Sequence, residues 1–297
     1  MIAVPFSDTY LYRAQHSHLM EYELETRQTK ELARFDHVVE APFYSRDGKS
    51  LYYNCEGLIY RFDLETGEST QVKTGACVYC NNDHVLSPDG TALAVSGSTD
   101  SEGMSKIYMV HLGVDDATEI VSTPLSYLHG WSPDGSTLAY CAGRLYGDEM
   151  EWDIYTCPVT GGAETRLTNA PGLNDGPEYS SDGKTIWFNS VRTGLMQVWK
   201  MNADGSEQTQ MTFDEAWNSW FPHISPDNEK VVYVAYHKGD LAPGDHVPDK
   251  NVELRMIPAQ GGAPVTLAEL FGGQGTINVN SWAPDSKKFA YVRYSVD

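Results

Sequence analysis

The chain has 297 residues, with 41 acidic against 21 basic side chains and a formal net charge of −20. That balance argues against nucleic acid and anionic membrane as partners, because both are bound through basic patches. No apolar run approaches membrane-spanning length, and helical periodicity is nowhere sustained, so an all-β fold is expected.

In chain order, residues 1–16 read as an N-terminal arm. Their start, Met1-Ile2-Ala3-Val4-Pro5, lacks the charged and long apolar regions of an export signal. The expected location is therefore cytoplasmic, or periplasmic if a leader has been removed. Residues 18–25 and 30–36 read as two strands with no partners ahead of them.

Six copies of a turn signature follow: Ser45-Arg46-Asp47-Gly48, Ser87-Pro88-Asp89-Gly90, Ser132-Pro133-Asp134-Gly135, Ser180-Ser181-Asp182-Gly183, Ser225-Pro226-Asp227-Asn228 and Ala283-Pro284-Asp285-Ser286. Their Asp residues lie 42, 45, 48, 45 and 58 positions apart. Asp bonds back to nearby amides, Pro pre-sets φ, and Gly tolerates a positive φ, so each copy is a tight turn. An apolar strand comes after each turn, as in Leu51-Tyr52-Tyr53 or Val231-Val232-Tyr233-Val234, and a second strand after that, such as Ile107-Tyr108-Met109-Val110.

Repeats of this length built from strands predict a six-bladed β-propeller of four-stranded antiparallel blades. The strand before each signature, A, is expected innermost, and the signature joins it to strand B. Residues 278–283 and 288–294 read as A and B with nothing after them. The N- and C-terminal strands are thus expected to share one blade and close the ring, leaving no free sheet edge there. Residues 17–297 form one propeller domain in this reading.

Aligning the A strands on the turn predicts what lines the channel. Glu40, Asn82, Asp83, His84, His129, Asn174, Asp175, Glu178, His223 and Asn278 converge from different blades, and Gln274 enters at the same end. The residues just before the turns (Tyr44, Leu86, Trp131, Tyr179, Ile224 and Trp282) read as packing between blades. A long B–C insertion, 237–251, carries His237 and His246 and is expected beside the mouth as a rim or partial lid.

Two metal hypotheses follow. His84, His129 and His223, with Gln274, would hold Zn²⁺ or Mn²⁺, since imidazole suits borderline metals. Alternatively, Glu40, Asn82, Asp175 and Asn278 would form an oxygen ring for Ca²⁺. A divalent metal is thus the expected cofactor, set against a wet structural channel in which these groups bond only water. Glu178, Asp175 and Glu40 are the acid–base candidates. Asn82, Asp83, Asn174, Trp220, Asn278 and Arg192 are the substrate-binding candidates.

The five cysteines form no recognisable zinc set. Cys77-Val78-Tyr79-Cys80 has no second pair. Free thiols in a reducing compartment are expected.

The Ser-Pro-Asp-Gly repeats, each followed by an apolar strand, resemble the WD40-like, PD40-type repeats of the TolB-like propeller family over nearly all of 18–297. A more distant likeness is to the oligogalacturonate lyases, which implies a channel metal held by histidines and a glutamine. No G-x-S-x-G nucleophile elbow is present. The resemblances imply either a metal-assisted hydrolase or lyase acting on a small carbohydrate-, uronate- or ester-like substrate, or a scaffold that binds a protein partner.

Overall fold

A computed structural model describes residues 16–296. The expected arm falls outside the described residues, except that His16 already belongs to the first strand. In chain order the strands are β1 (His16–Glu23), β2 (Gln28–Phe35), β3 (Glu40–Tyr44), β4 (Ser50–Cys55), β5 (Leu58–Asp63), β6 (Ser69–Gln71), β7 (Tyr79–Leu86), β8 (Ala92–Ser98), β9 (Lys106–His111), β10 (Thr118–Val121), β11 (Ser126–Trp131), β12 (Thr137–Tyr146), β13 (Glu149–Pro158), β14 (Thr165–Arg166), β15 (Asn174–Tyr179), β16 (Thr185–Ser190), β17 (Gln197–Asn202), β18 (Thr209–Gln210), β19 (Trp217–Ile224), β20 (Lys230–His237), β21 (Lys250–Pro258), β22 (Val265–Gly272) and β23 (Lys288–Ser295). They form six antiparallel blades around a central channel. Five blades are sheets of four consecutive strands, and the sixth has the order β2-β1-β23.

That sixth blade closes the ring as expected, with β1 paired to β23 from His16↔Ser295 to Glu23↔Lys288. Its innermost position is less regular than predicted. Residues 276–283 hold it through backbone bonds from Val292 to Thr276, Ala290 to Ser281 and Ala283 to Lys288, with a single bridge at Trp282↔Phe289. Strand B of each blade lies between neighbouring strands and between neighbouring sheets. Its side chains are therefore covered on both faces, and β4 and β8 are buried at every position.

The signature turns work as their chemistry requires. In the second copy, Ser87 Oγ donates to Asp89 Oδ1 at 2.6 Å, and the Thr91 amide donates to the same oxygen at 3.0 Å. The departures from Ser-Pro-Asp-Gly are the links between blades. Arg46, in a proline position, donates to the Leu86 and Ser87 carbonyls of the next blade at 2.6 and 3.1 Å. Ser181, also in a proline position, is held by Asn228 and by the Pro226 carbonyl. Ser286, in a glycine position at φ 59°, accepts from the Asp227 amide at 2.9 Å.

Candidate functional site

The A strands bring their polar side chains inward through a shared irregularity. In β3, β15 and β19 two residues oppose one on the neighbouring strand, between Glu40 and Phe43, Asp175 and Glu178, and Trp220 and His223. β11 has one extra residue at Leu128/Gly130, and β7 has two, at Cys80/His84. Such bulges bend a strand and re-aim its side chains. Three of them place Ala41, Gly176 and Phe221 at φ 52°, 63° and 52°. For a bulky residue such as Phe221 this is a strained conformation, of the kind that concentrates at functional positions. Asn189 fixes it by accepting the Phe221 amide at 3.0 Å. The Phe221 ring then stacks on His129, centroids 5.7 Å apart.

His129 is the centre of the site. Its Nε2 lies 3.2 Å from Asp175 Oδ1 and 3.8 Å from Asp83 Oδ1, and all three residues are buried. Burial opposes the imidazolium, but the two carboxylates outweigh it and hold the His129 pKa above its ordinary value. The carboxylates are pushed apart. Burial, only partly offset by His129, raises Asp83 to about 6. Asp175 is lowered to about 2, because its bond and charge interaction with His129 overcome burial. Asn278 Nδ2 donates to Asp83 Oδ1 at 2.6 Å, and Asn82 Nδ2 donates to Glu40 Oε1 at 2.9 Å. The outward oxygens, Asn82 Oδ1 and Asn278 Oδ1, are buried acceptors without a donor, as is Gln274 Oε1. Buried acceptors of this kind call for a donor-bearing guest or ordered water.

The B–C insertion does sit over this end. His246, partly accessible, stacks 4.3 Å from Trp220 and 5.2 Å from Phe221. Burial and the neighbouring His129 lower its pKa, while Asp175 acts in the other direction. The Val247 carbonyl accepts from Tyr236 Oη and from the Gln274 amide, which docks the loop onto 272–276. Gly273 permits this approach, since a Cβ there would lie 2.3 Å from that carbonyl. Trp220, expected to bind substrate, is fully buried beneath the loop.

Several expected residues do other work. His84 gives Nε2 to the Ala41 carbonyl at 3.0 Å, and burial lowers its pKa to about 4. His223 is spent on both nitrogens, Nδ1 at 2.7 Å from Glu178 Oε2 and Nε2 at 2.9 Å from the Ile277 carbonyl. Glu178 is further saturated by the Ile224 amide and Asn280. Arg192 and Asn174 bond each other and Ser190 between strands of the fourth blade, with the guanidinium 4.6 Å over Trp199. Arg192 is therefore not an anion-binding group of the channel.

The expected metal ligands do not form one set. His84 gives Nε2 to the Ala41 carbonyl and leaves Nδ1 buried without a partner, His223 has committed both nitrogens to Glu178 and the Ile277 carbonyl, and only His129 lies between Asp83 and Asp175. Among the described residues no three His, Cys, Asp or Glu side chains are placed to hold an ion. In the oxygen set, Asn82 and Asn278 turn nitrogens, not oxygens, toward the carboxylates, giving a hydrogen-bonded chain in place of a ligand ring.

At the opposite end of the channel the residues before the turns pack between blades, as expected, and also border an opening. A cavity of about 310 Å³ opens between the signature turns and reaches inward to His84, His129 and Glu178. Its walls are Tyr44, Leu86, Trp131, Tyr179, Ile224 and Trp282, the six residues read as interblade packing.

A family model described as a TolB beta propeller domain, PD40, matches residues 129–255. An uncharacterized protein of Agrobacterium fabrum is 43% identical over 274 residues, 92% of this chain and 90% of that protein. The structure of a putative TolB from Agrobacterium tumefaciens superposes with TM-score 0.88 at 42% identity, covering 94% of this chain and 98% of that one. The Tol-Pal system protein TolB of Francisella tularensis is 23% identical, matching 85% of this chain but 56% of its own length, so this chain spans about half of it. A manganese complex of oligogalacturonate lyase shares the fold, with TM-score 0.52 at 16% identity over 86% of this chain and 67% of that one. By repeat, fold and sequence, the chain belongs to the TolB-like family of PD40 β-propellers.

Proposed function

We propose that this propeller is a channel enzyme in which His129 moves a proton in the hydrolysis of a small, donor-rich, uncharged or cationic substrate such as a neutral sugar. The observation that carries the reading is the imidazole held between two aspartates whose pKa values are driven apart, the pattern of assigned acid and base roles. Asp175, ionised, orients and charges His129; Asp83 titrates near working pH and is the second proton carrier. Asn82, Asn278 and Gln274 offer acceptors to hydroxyl or amine donors. Anionic uronates fit less well, because the one imidazole of His129 is already shared between the carboxylates of Asp83 and Asp175.

A screen of neutral glycosides, esters and amine-bearing analogues tests this, with His129→Asn and Asp83→Asn as controls. Turnover that falls by about 10²–10⁴-fold in both variants is expected. Turnover unchanged in His129→Asn would sink the proposal.

A second reading, a protein-interaction scaffold, rests on a different observation. The exposed apolar side chains Val78, Met104 and Phe213, in loops, and the cross-strand pair Leu145 and Met150, at the tip of the β12–β13 hairpin, lie on the face where the A strands start, and the TolB relatives belong by name to the Tol-Pal system. A stoichiometric partner lost on Leu145→Asp and Phe213→Asp would favour it. A reducing compartment such as the cytoplasm belongs to the proposal too, resting on five buried cysteines that are unpaired in the fold.

A further inference from the structure

The signature-turn end of the channel has walls unlike the polar centre. Six blades each contribute the residue before the turn, and four of these are aromatic: Tyr44, Trp131, Tyr179 and Trp282. Three of the four have already spent their polar groups. Trp131 Nε1 donates to the Gly135 carbonyl, Trp282 Nε1 to the His223 carbonyl, and Tyr44 Oη to Glu21. What these rings have left to offer a guest is π-surface, not hydrogen bonds. Trp131 and Tyr179 remain partly accessible, so the collar is open to solvent.

The charge around it is mostly acidic, and its cationic groups are already paired. Glu178 lines the inner end, Asp83 and Asp175 lie beyond, and the chain as a whole carries −20. Of the basic residues among the cavity's walls, Arg46 is tied through its guanidinium to the Leu86 and Ser87 carbonyls, His84 gives Nε2 to the Ala41 carbonyl, and His129 is paired with Asp83 and Asp175. An anion entering here meets repulsion and no free donor of positive charge. A neutral apolar guest gains area but leaves the field unused.

We infer that this aromatic collar is a binding site for a small organic cation, an amine or quaternary ammonium. Ring quadrupoles attract such a charge when it is desolvated among them, and an acidic channel raises its local concentration. The cavity of about 310 Å³ is roomy enough for a headgroup of this class. The inference rests on the channel being a ligand site, as in the function proposed above, but not on His129 transferring a proton.

Calorimetric titration with choline chloride tests it, against the uncharged carbon isostere 3,3-dimethyl-1-butanol. Saturable one-to-one binding of choline is expected, about tenfold tighter than the isostere. Trp131→Leu and Tyr179→Leu, both at partly open positions, should each weaken choline by a similar factor while circular dichroism stays unchanged. Trp131 and Tyr179 lie outside the His129–Asp83–Asp175 group, so choline binding weakened in their variants with turnover of a neutral substrate retained separates the two proposals. Equal binding of choline and its isostere, no saturable heat from the folded protein, or full affinity in both collar variants would each overturn the inference.

Discussion

Replacing Asp175 by Asn should remove a charge interaction and little else. The Asn side chain keeps an Oδ1 to accept the Gly176 amide, which Asp175 now holds at 2.7 Å. The carboxyl sits at about 2 in the fold, its burial outweighed by His129, against about 3.9 in an unfolded chain. The difference corresponds to about 2–3 kcal/mol of stability at pH 7. The sign follows from the lowered value. The native state binds fewer protons than the unfolded state, so the contribution is complete above the unfolded value and is lost as pH falls through the folded one. Asp175→Asn should lower the melting temperature by about 4 °C at pH 7, given the unfolding entropy of a chain this long. The deficit should shrink to roughly half near pH 3. Thermal unfolding of both proteins across pH 3–8 reads this out. A deficit that does not change with pH would refute the ion-pair account and leave a packing defect in its place.

Asp83 should behave in the opposite sense. Its raised value means that its contribution is present below the unfolded pKa and lost as pH rises through about 6. Asp83→Asn should therefore be neutral or stabilising at pH 8, by up to about 3 kcal/mol, in the same unfolding assay. At the blade links, Ser286→Ala keeps the left-handed backbone but loses the Asp227 amide bond, and should cost about 1 kcal/mol. Ser286→Gly relieves the backbone while losing the same bond, and should be closer to neutral in chemical denaturation. All five thiols are buried, so they should react with a thiol reagent only on unfolding. Cys77 and Cys80, with sulfurs 3.8 Å apart, should be the pair that closes first under an added disulfide oxidant, seen as a mass loss of about 2 Da.

The sequence by itself determined the architecture. Turn chemistry is local: a Ser-Pro-Asp-Gly segment folds the same way wherever it stands, and six copies with strands between them leave few alternatives to a closed ring. The shared terminal blade was legible too, because strands without partners at both ends have one economical solution. The gathering of His129, Asp83, Asp175 and Asn278 was within reach for the same reason, since each lies at a fixed offset from its turn.

What those residues do there was decided by the tertiary structure. The bulges in the A strands carry no turn-like signature, so an offset from the turn does not fix which way each side chain faces. His84 and His223 follow such bulges and bond carbonyls, and Trp131 follows one and borders a cavity. Arg192 and Asn174 found partners between strands of their own blade, a matter of which side chains reach across a sheet. The splitting of Asp83 from Asp175 depends on burial and on distances to one imidazole contributed by a third blade. Such distances exist only once the ring is closed.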